Sequence, residues 1–144
     1  MAGRTTVNID IKKFSLALGK YINDKAQEIA KQVGKDTRKF ARQHKVSGNY
    51  GKGIRVKKSK FKGGGYIVKA TAPHSFLVEF GTKGKRFPKK ADFLYDKETK
   101  TFFGEEVAPM PALAPLRTAL YNNIEYARQK FLTGDLGKYR DMWE

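Results

Sequence analysis

The sequence predicts an α+β fold, in which a small antiparallel sheet packs against a long N-terminal helix and a C-terminal helix, with a protruding hairpin arm. Three observations predict it. Apolar residues recur at spacings of three, four and seven between Ile9 and about Gln43, and again after Pro115, which is the period of an amphipathic helix. Between these two regions, short stretches alternate apolar with polar residues and are broken by glycine clusters, as half-buried strands joined by turns are. At 144 residues the chain has length for one core and not for two, so a single domain over 1–144 is expected.

In the first helix Ile11, Phe14, Leu18, Ile22, Ile29, Val33 and Phe40 form a narrow stripe, with Lys12, Lys13, Lys20, Lys31, Lys35 and Lys39 mostly off it. A stripe of that width is most simply one that faces a sheet. Asn8 and Asp10 are the candidate caps, and Gly34 is the weak point at which a bend or break is expected if there is one. Residues 46–53, VSGNYGKG, carry three glycines in six positions and read as a loop. Ile54 and Val56, then Tyr66, Val68 and Ala70, read as the strands of a hairpin; its tip, Ser59 to Gly65, is rich in glycine and lysine and is expected to be flexible and clear of the core. HSFLVEF, from His74 to Phe80, reads as a further strand that begins after Pro73 and stops at Gly81.

Residues 83–107 form a 25-residue excursion, too long for a structureless loop inside a compact domain. Phe93, Leu94 and Tyr95 face Phe102 and Phe103 across DKETK, so a small hairpin is expected there. It either packs back on its own domain or reaches a neighbour as an arm. Five large apolar side chains on a surface hairpin would leave an exposed patch, which favours a subunit interface for these five residues. After Pro115, the residues Leu116, Leu120, Ile124, Ala127 and Phe131 share one face of a second helix that ends near Gly134. A short tail, 134–144, follows, with Trp143 either docked or part of a frayed end.

Net charge is +16 and unevenly spread: residues 1–70 carry 18 Lys and Arg against 4 Asp and Glu, residues 71–144 carry 12 against 10. A solvated lysine-rich surface accounts for some of this. A charge of this size at this length leans further, toward a polyanionic partner, either nucleic acid or an acidic protein ring. The chain has no cysteine, which excludes disulfides and thiolate sites and fits a reducing cytosol or a virion assembled there. No apolar run approaches membrane-spanning length and the N-terminus lacks the hydrophobic stretch of a signal peptide, so a soluble protein made in the cytoplasm and without membrane contact is expected.

Convergent chemistry is sparse. His74 lies beside Ser75, with Glu79 five positions on, but in an extended strand His74 and Ser75 point to opposite faces and do not meet as base and nucleophile. Glu105 and Glu106 diverge in the same way, and no His, Asp and Glu cluster has metal-ligand spacing. KFKGGGY lacks the spacing and the Lys-Ser/Thr ending of a phosphate-binding loop. No catalytic residue, metal or cofactor is expected, and the chain does not read as an enzyme. Glu79, an acidic residue among apolar and basic neighbours, pairs either with a Lys or Arg of its own strand edge or, at an interface, with Arg117 or a basic residue of the next subunit.

Three segments carry a resemblance in their order and spacing. The first is Ser47, Gly48, Asn49, Tyr50, Gly51, Lys52, Gly53 and Ile54; the second is Val78, Glu79, Phe80, Gly81 and Thr82; the third is Met110, Pro111, Ala112, Pro115, Leu116, Arg117 and Ala119. Their succession resembles the HK97 gp10-like family of tailed-phage tail-completion and head-tail joining proteins, in which the corresponding motifs run Thr-Gly-x-Leu-Arg-x-Ser-Ile, Val-Glu-Phe-Gly-Thr and a proline-flanked start of the last helix. Tyr50 stands for the leucine, and Gly51 and Gly53 for the arginine and serine, which predicts a looser first loop. The 83–107 excursion is longer than the family usually carries.

The resemblance implies an α+β domain whose motif residues are scaffold, and a structural virion protein located in the neck or tail-proximal region. Such subunits form a ring, commonly a hexamer, that resembles tail terminators, joins the tail tube to the head connector or stopper, and lets the genome pass. In that setting Lys57, Lys58, Lys60 and Lys62 of the hairpin tip become contacts either with an acidic neighbouring ring or, non-specifically, with DNA in the lumen. The acidic ring is preferred, because tight DNA binding would retard genome movement. The alternative from another class is a basic nucleic-acid-binding protein whose helix and aromatic hairpin grip a backbone.

Overall fold

The computed structural model of the chain describes residues 10–84, 94–97, 100–104 and 108–142. Helix α1, Ile11–Gln43, runs unbroken for 33 residues. Asp10 starts it: its carboxylate accepts from the backbone N–H of Lys12 at 3.0 Å and of Lys13 at 3.2 Å, satisfying two of the donors a helix start leaves over. Gly34 does not break it. A Cβ there would sit 3.2 Å from Val56 Cγ2, so the missing side chain lets the hairpin close on the helix.

That hairpin is β1, Ile54–Lys58, paired antiparallel with β2, Tyr66–Ala70, in the register Ile54 to Ala70, Val56 to Val68 and Lys58 to Tyr66. Ile54, Val56, Val68 and Ala70 turn toward α1, while Arg55, Lys57, Ile67 and Lys69 are exposed, as the two-residue period requires. The tip is tied down rather than free. Ser59 N donates to Gly65 O at 2.8 Å, Gly64 and Gly65 take positive φ, and Gly65 N donates to Asn23 Oδ1 on α1 at 3.0 Å.

The apolar stripe read from the sequence is only partly the buried face of α1. Val33 is buried, but Ile11 and Ile22 are exposed, and the burial falls on Ala17, Tyr21, Ala30, Gly34, Thr37 and Ala41. Apart from Tyr21, the buried positions are small or β-branched, which lets neighbouring elements approach closely, while Ile11 and Ile22 stay outside the contact. Two core clusters result. Ala41, Tyr50 and Ile54 anchor one, with Val46, Val68, Ala70, Val78 and Leu116 around them. Near the start of α1, Ala17 and Tyr21 receive Tyr139, with Leu18 and Leu136 beside them.

Three expectations are corrected. Residues expected as a loop contain a short helix α2, Gly48–Lys52, held by the burial of Tyr50. The segment read as a strand from His74 is helix α3, Ser75–Phe80; its apolar residues fit a single helical turn and a half as well as they fit alternation. The second long helix divides into α4, Pro115–Asn122, and α5, Ile124–Leu132, at Asn123, whose buried side-chain amide donates to Asp36 Oδ2 and to Ala119 O, both at 2.8 Å.

In the excursion, β3, Leu94–Asp96, pairs antiparallel with β4, Thr101–Gly104, with Tyr95 opposite Phe102. Phe93 lies outside the described residues. Among the described residues the strands form two separate two-stranded sheets. The chain closes with a 3₁₀ segment, Leu136–Met142, that docks through Tyr139: its ring meets Tyr21 edge to face and its hydroxyl donates to Asp24 Oδ2 at 2.6 Å. Trp143 is outside the described residues.

Candidate functional site

The three segments that carry the family resemblance meet around one carboxylate. Glu79, on α3, is buried, and its Oε1 accepts from the Tyr50 hydroxyl of α2 at 2.8 Å and from the backbone N–H of Leu116 in the first turn of α4 at 2.7 Å. The local sequence explains the convergence. Gly81 ends α3 at φ 67°, ψ −169°, a region that only glycine occupies readily, and its bare Cα lies against the backbone of Met110 and Ala112. Thr82 N donates to Met110 O, and Met110 N to Thr82 Oγ1, each at 2.8 Å. Leu113 N and Ala114 N then donate to Val78 O at 3.1 and 3.3 Å.

The proline-rich lead-in is therefore stitched to the end of α3 before α4 begins. Ala114 at the cap position is left-handed, with φ 48°, and carries no side-chain acceptor; Pro115, buried, starts the helix with the φ it needs. Glu79 supplies from another element the acceptor that a cap residue would have supplied, and places a negative charge at the positive end of the helix. Burial, and then the hydrogen bond and charge of Glu79, push the Tyr50 phenol well above the ordinary tyrosine range, so it stays a donor. Tyr50 is buried and its hydroxyl is bonded to Glu79, so the segment between α1 and β1 is fastened at this residue.

The Glu79 carboxylate does not go to Arg117. The Arg117 guanidinium donates to the Glu79 main-chain oxygen at 3.2 Å and lies 5.4 Å from the centroid of the Phe80 ring. Phe80 and Phe76 are exposed with ring centroids 4.8 Å apart. His74, Ser75 and Glu79 sit at the start and along α3, not on a strand. Ser75 Oγ donates to Ala70 O, and no hydrogen bond joins the three among the described residues. Among the described residues no group of three or more His, Asp or Glu is placed to hold a metal ion, and no helix is long and apolar enough to cross a membrane.

Of the other residues singled out by sequence, Gly48 opens α2 and Ile54 is fully buried in the core beneath it. Val78 packs on that core and Pro111 is exposed within the lead-in. Lys57, Lys58, Lys60 and Lys62 are all exposed around the hairpin tip. Leu94, Tyr95, Phe102 and Phe103 lie on the β3 and β4 strands.

Sequence spacing did not set apart a second feature. Arg38, Arg42, Lys52 and Arg55 line an open cleft of about 660 Å³ between the end of α1, α2 and β1. The one available signal is the four-residue spacing of Arg38 and Arg42, which puts both on one helix face. Comparison with known protein families, with curated proteins and with solved structures finds no match to this chain.

Proposed function

We propose that this chain is a structural subunit of a tailed-bacteriophage neck: a tail-completion, tail-terminator-like ring that joins the tail tube to the head connector and leaves a passage for the genome. The observation that carries the reading is the meeting of the three resemblance-bearing segments at Glu79. Segments far apart in sequence resemble one family in their order, and in space they form one fastened unit.

Self-association has its own support. Phe76 and Phe80 of α3 and Leu120, Tyr121, Ile124 and Leu132 of α4 and α5 are large apolar side chains left exposed on a single copy. Singly they are ordinary; grouped on consecutive elements they suit a surface covered by another subunit. A closed ring is one arrangement that covers such a surface on every copy.

Sedimentation of the purified chain tests the ring directly, with a discrete oligomer expected, commonly a hexamer in the family. Negative-stain microscopy of particles made without this protein tests its place, with unjoined heads and tails expected. A chain that stays monomeric at all concentrations, together with normal particles in its absence, refutes the reading.

A further inference from the structure

We propose that the cleft lined by Arg38, Arg42, Lys52 and Arg55 is a phosphate-backbone site that engages double-stranded nucleic acid. The inference goes beyond the ring assignment and holds whether or not the chain closes a ring.

The cleft has no acidic residue on its lining; besides the four basic residues it is made by Ala41, Val46, Ser47, Gly48 and Gly51. Two of the guanidinium groups are held in place. Arg38 Nη2 donates to Ile54 O at 2.9 Å and Arg55 Nη1 to Lys52 O at 2.8 Å, which uses one donor of each fork and leaves the others for a ligand. The Arg42 and Lys52 side chains are exposed, and neither is in an ion pair with a described residue. Four cations gathered with no acidic side chain among the described lining residues repel one another, and an anion in the cleft removes that cost.

A second observation extends the site. Arg55 continues onto the exposed face of the hairpin, where it stands directly opposite Lys69 in the strand register, with Lys57 two residues along. Like charges directly opposite on a sheet face are destabilising. The sheet keeps such a pair on the side away from α1, contiguous through Arg55 with the cleft. A set of cations that runs from a cleft onto a flat face suits a long polyanion better than a small one.

The lining chemistry distinguishes between polyanions. Protein interfaces draw their affinity from a buried apolar or aromatic centre, whereas nucleic-acid interfaces are polar and strongly positive. No aromatic residue lines the cleft, and its apolar members are only Ala41 and Val46. That absence also removes the stacking platform that unpaired bases need, which leaves the duplex backbone as the fitting ligand.

The test is fluorescence anisotropy of a short labelled DNA duplex against the full chain over a salt series. Binding is expected to weaken steeply with salt. Arg42→Gln with Lys52→Gln should weaken it roughly tenfold or more and reduce the slope of log affinity against log salt by about 2. Lys12→Gln with Lys13→Gln removes equal charge at the far end of α1 and should leave the slope unchanged. In the unaltered chain, amide NMR shifts on DNA addition should centre on Ser47, Gly48 and Gly51. Equal losses from both double variants would assign the binding to diffuse charge and overturn the proposal, as would absence of binding at low salt. Polyglutamate that binds as tightly as DNA, and depends equally on Arg42 and Lys52, would overturn the choice of nucleic acid over an acidic protein.

Discussion

Glu79→Ala removes the acceptor on which two donors converge, and its cost follows from the geometry. The Tyr50 hydroxyl at 2.8 Å and the Leu116 N–H at 2.7 Å both bond to an ionised oxygen within a buried environment. Hydrogen bonds to charged groups contribute about 1.5–3 kcal/mol each, and a buried donor left unpaired costs about 1–3 kcal/mol. Partial access of water to the start of α4 lowers the sum, and a loss of about 3–5 kcal/mol is expected for Glu79→Ala. Glu79→Gln keeps an acceptor of the same shape and loses the charge, including its attraction to the helix start, so about 1–2 kcal/mol is expected. Urea denaturation followed by circular dichroism measures both, with a shifted midpoint at unchanged slope. Combining Glu79→Gln with Tyr50→Phe should give a coupling energy of about 1 kcal/mol, because both changes act on one bond. A Glu79→Ala chain within about 0.5 kcal/mol of the parent, or strict additivity in the cycle, would refute the fastening role.

Two further outcomes follow from the same kind of reasoning. Gly81→Ala puts a Cβ against the Met110 and Ala112 backbone at a φ of 67°, and should cost at least about 2 kcal/mol in urea melts; a neutral substitution would contradict the stitched turn. The hydrogen bond to Asp24, with burial and the Asp24 charge behind it, pushes the Tyr139 phenol up to about 12 from its ordinary 10.0. Below pH 10 the phenol is protonated in folded and unfolded chains alike, and its contribution is fully present. As the pH rises the unfolded chain ionises first, so stability falls from about pH 10 until the folded phenol ionises near 12. Tyr139→Phe should lose about 1 kcal/mol at neutral pH and show a shallower alkaline decline, part of the remainder belonging to Tyr50, whose phenol is raised for the same kinds of cause. Urea midpoints taken from pH 7 to pH 12 check this, and an unchanged decline would count against the Asp24 bond.

What was legible in the sequence was whatever local chemistry decides. The extent of α1, the pairing of Ile54 to Lys58 with Tyr66 to Ala70, and the start of α4 at Pro115 follow from periodicity, glycine placement and the fixed φ of proline. The failures are places where distant contacts decide. GNYGK has little helix propensity, and α2 exists because Tyr50 is buried against the core and bonded to a residue 29 positions away. SFLVEF is too short for its period to separate strand from helix. Gly34 reads as a flaw in isolation and becomes the point where Val56 reaches the helix. Asn123 breaks a helical pattern because its amide is needed by Asp36, 87 positions earlier. Glu79 was marked as unusual by its charge, but its partners were hidden, since neither a tyrosine hydroxyl nor a backbone N–H announces a carboxylate partner in sequence.

The cationic cleft and the exposed apolar residues of α3 and the α4–α5 junction fall on different elements, and that arrangement bears on the proposed ring. The cations of the cleft lie on the end of α1, on α2 and on β1, whereas the exposed Phe76, Phe80, Leu120, Tyr121 and Ile124 lie on α3 and at the α4–α5 junction; Phe61 and Ile67 of the hairpin and Ile11, Leu16 and Ile22 of α1 are exposed as well. Two copies cannot meet through the cationic surface without bringing like charges together, a contact that weak salt screening at close range does not relieve. Contact between copies through the apolar surface of α3 and the α4–α5 junction buries what water disfavours and leaves the cations of the cleft outward. In the proposed ring, α3 and the α4–α5 junction therefore make the subunit contacts, and the hairpin and its cleft remain open to a polyanion. Glu79 ties the two sides together: it holds α3 and α4, which carry the apolar surface, to α2, which forms one wall of the cationic cleft.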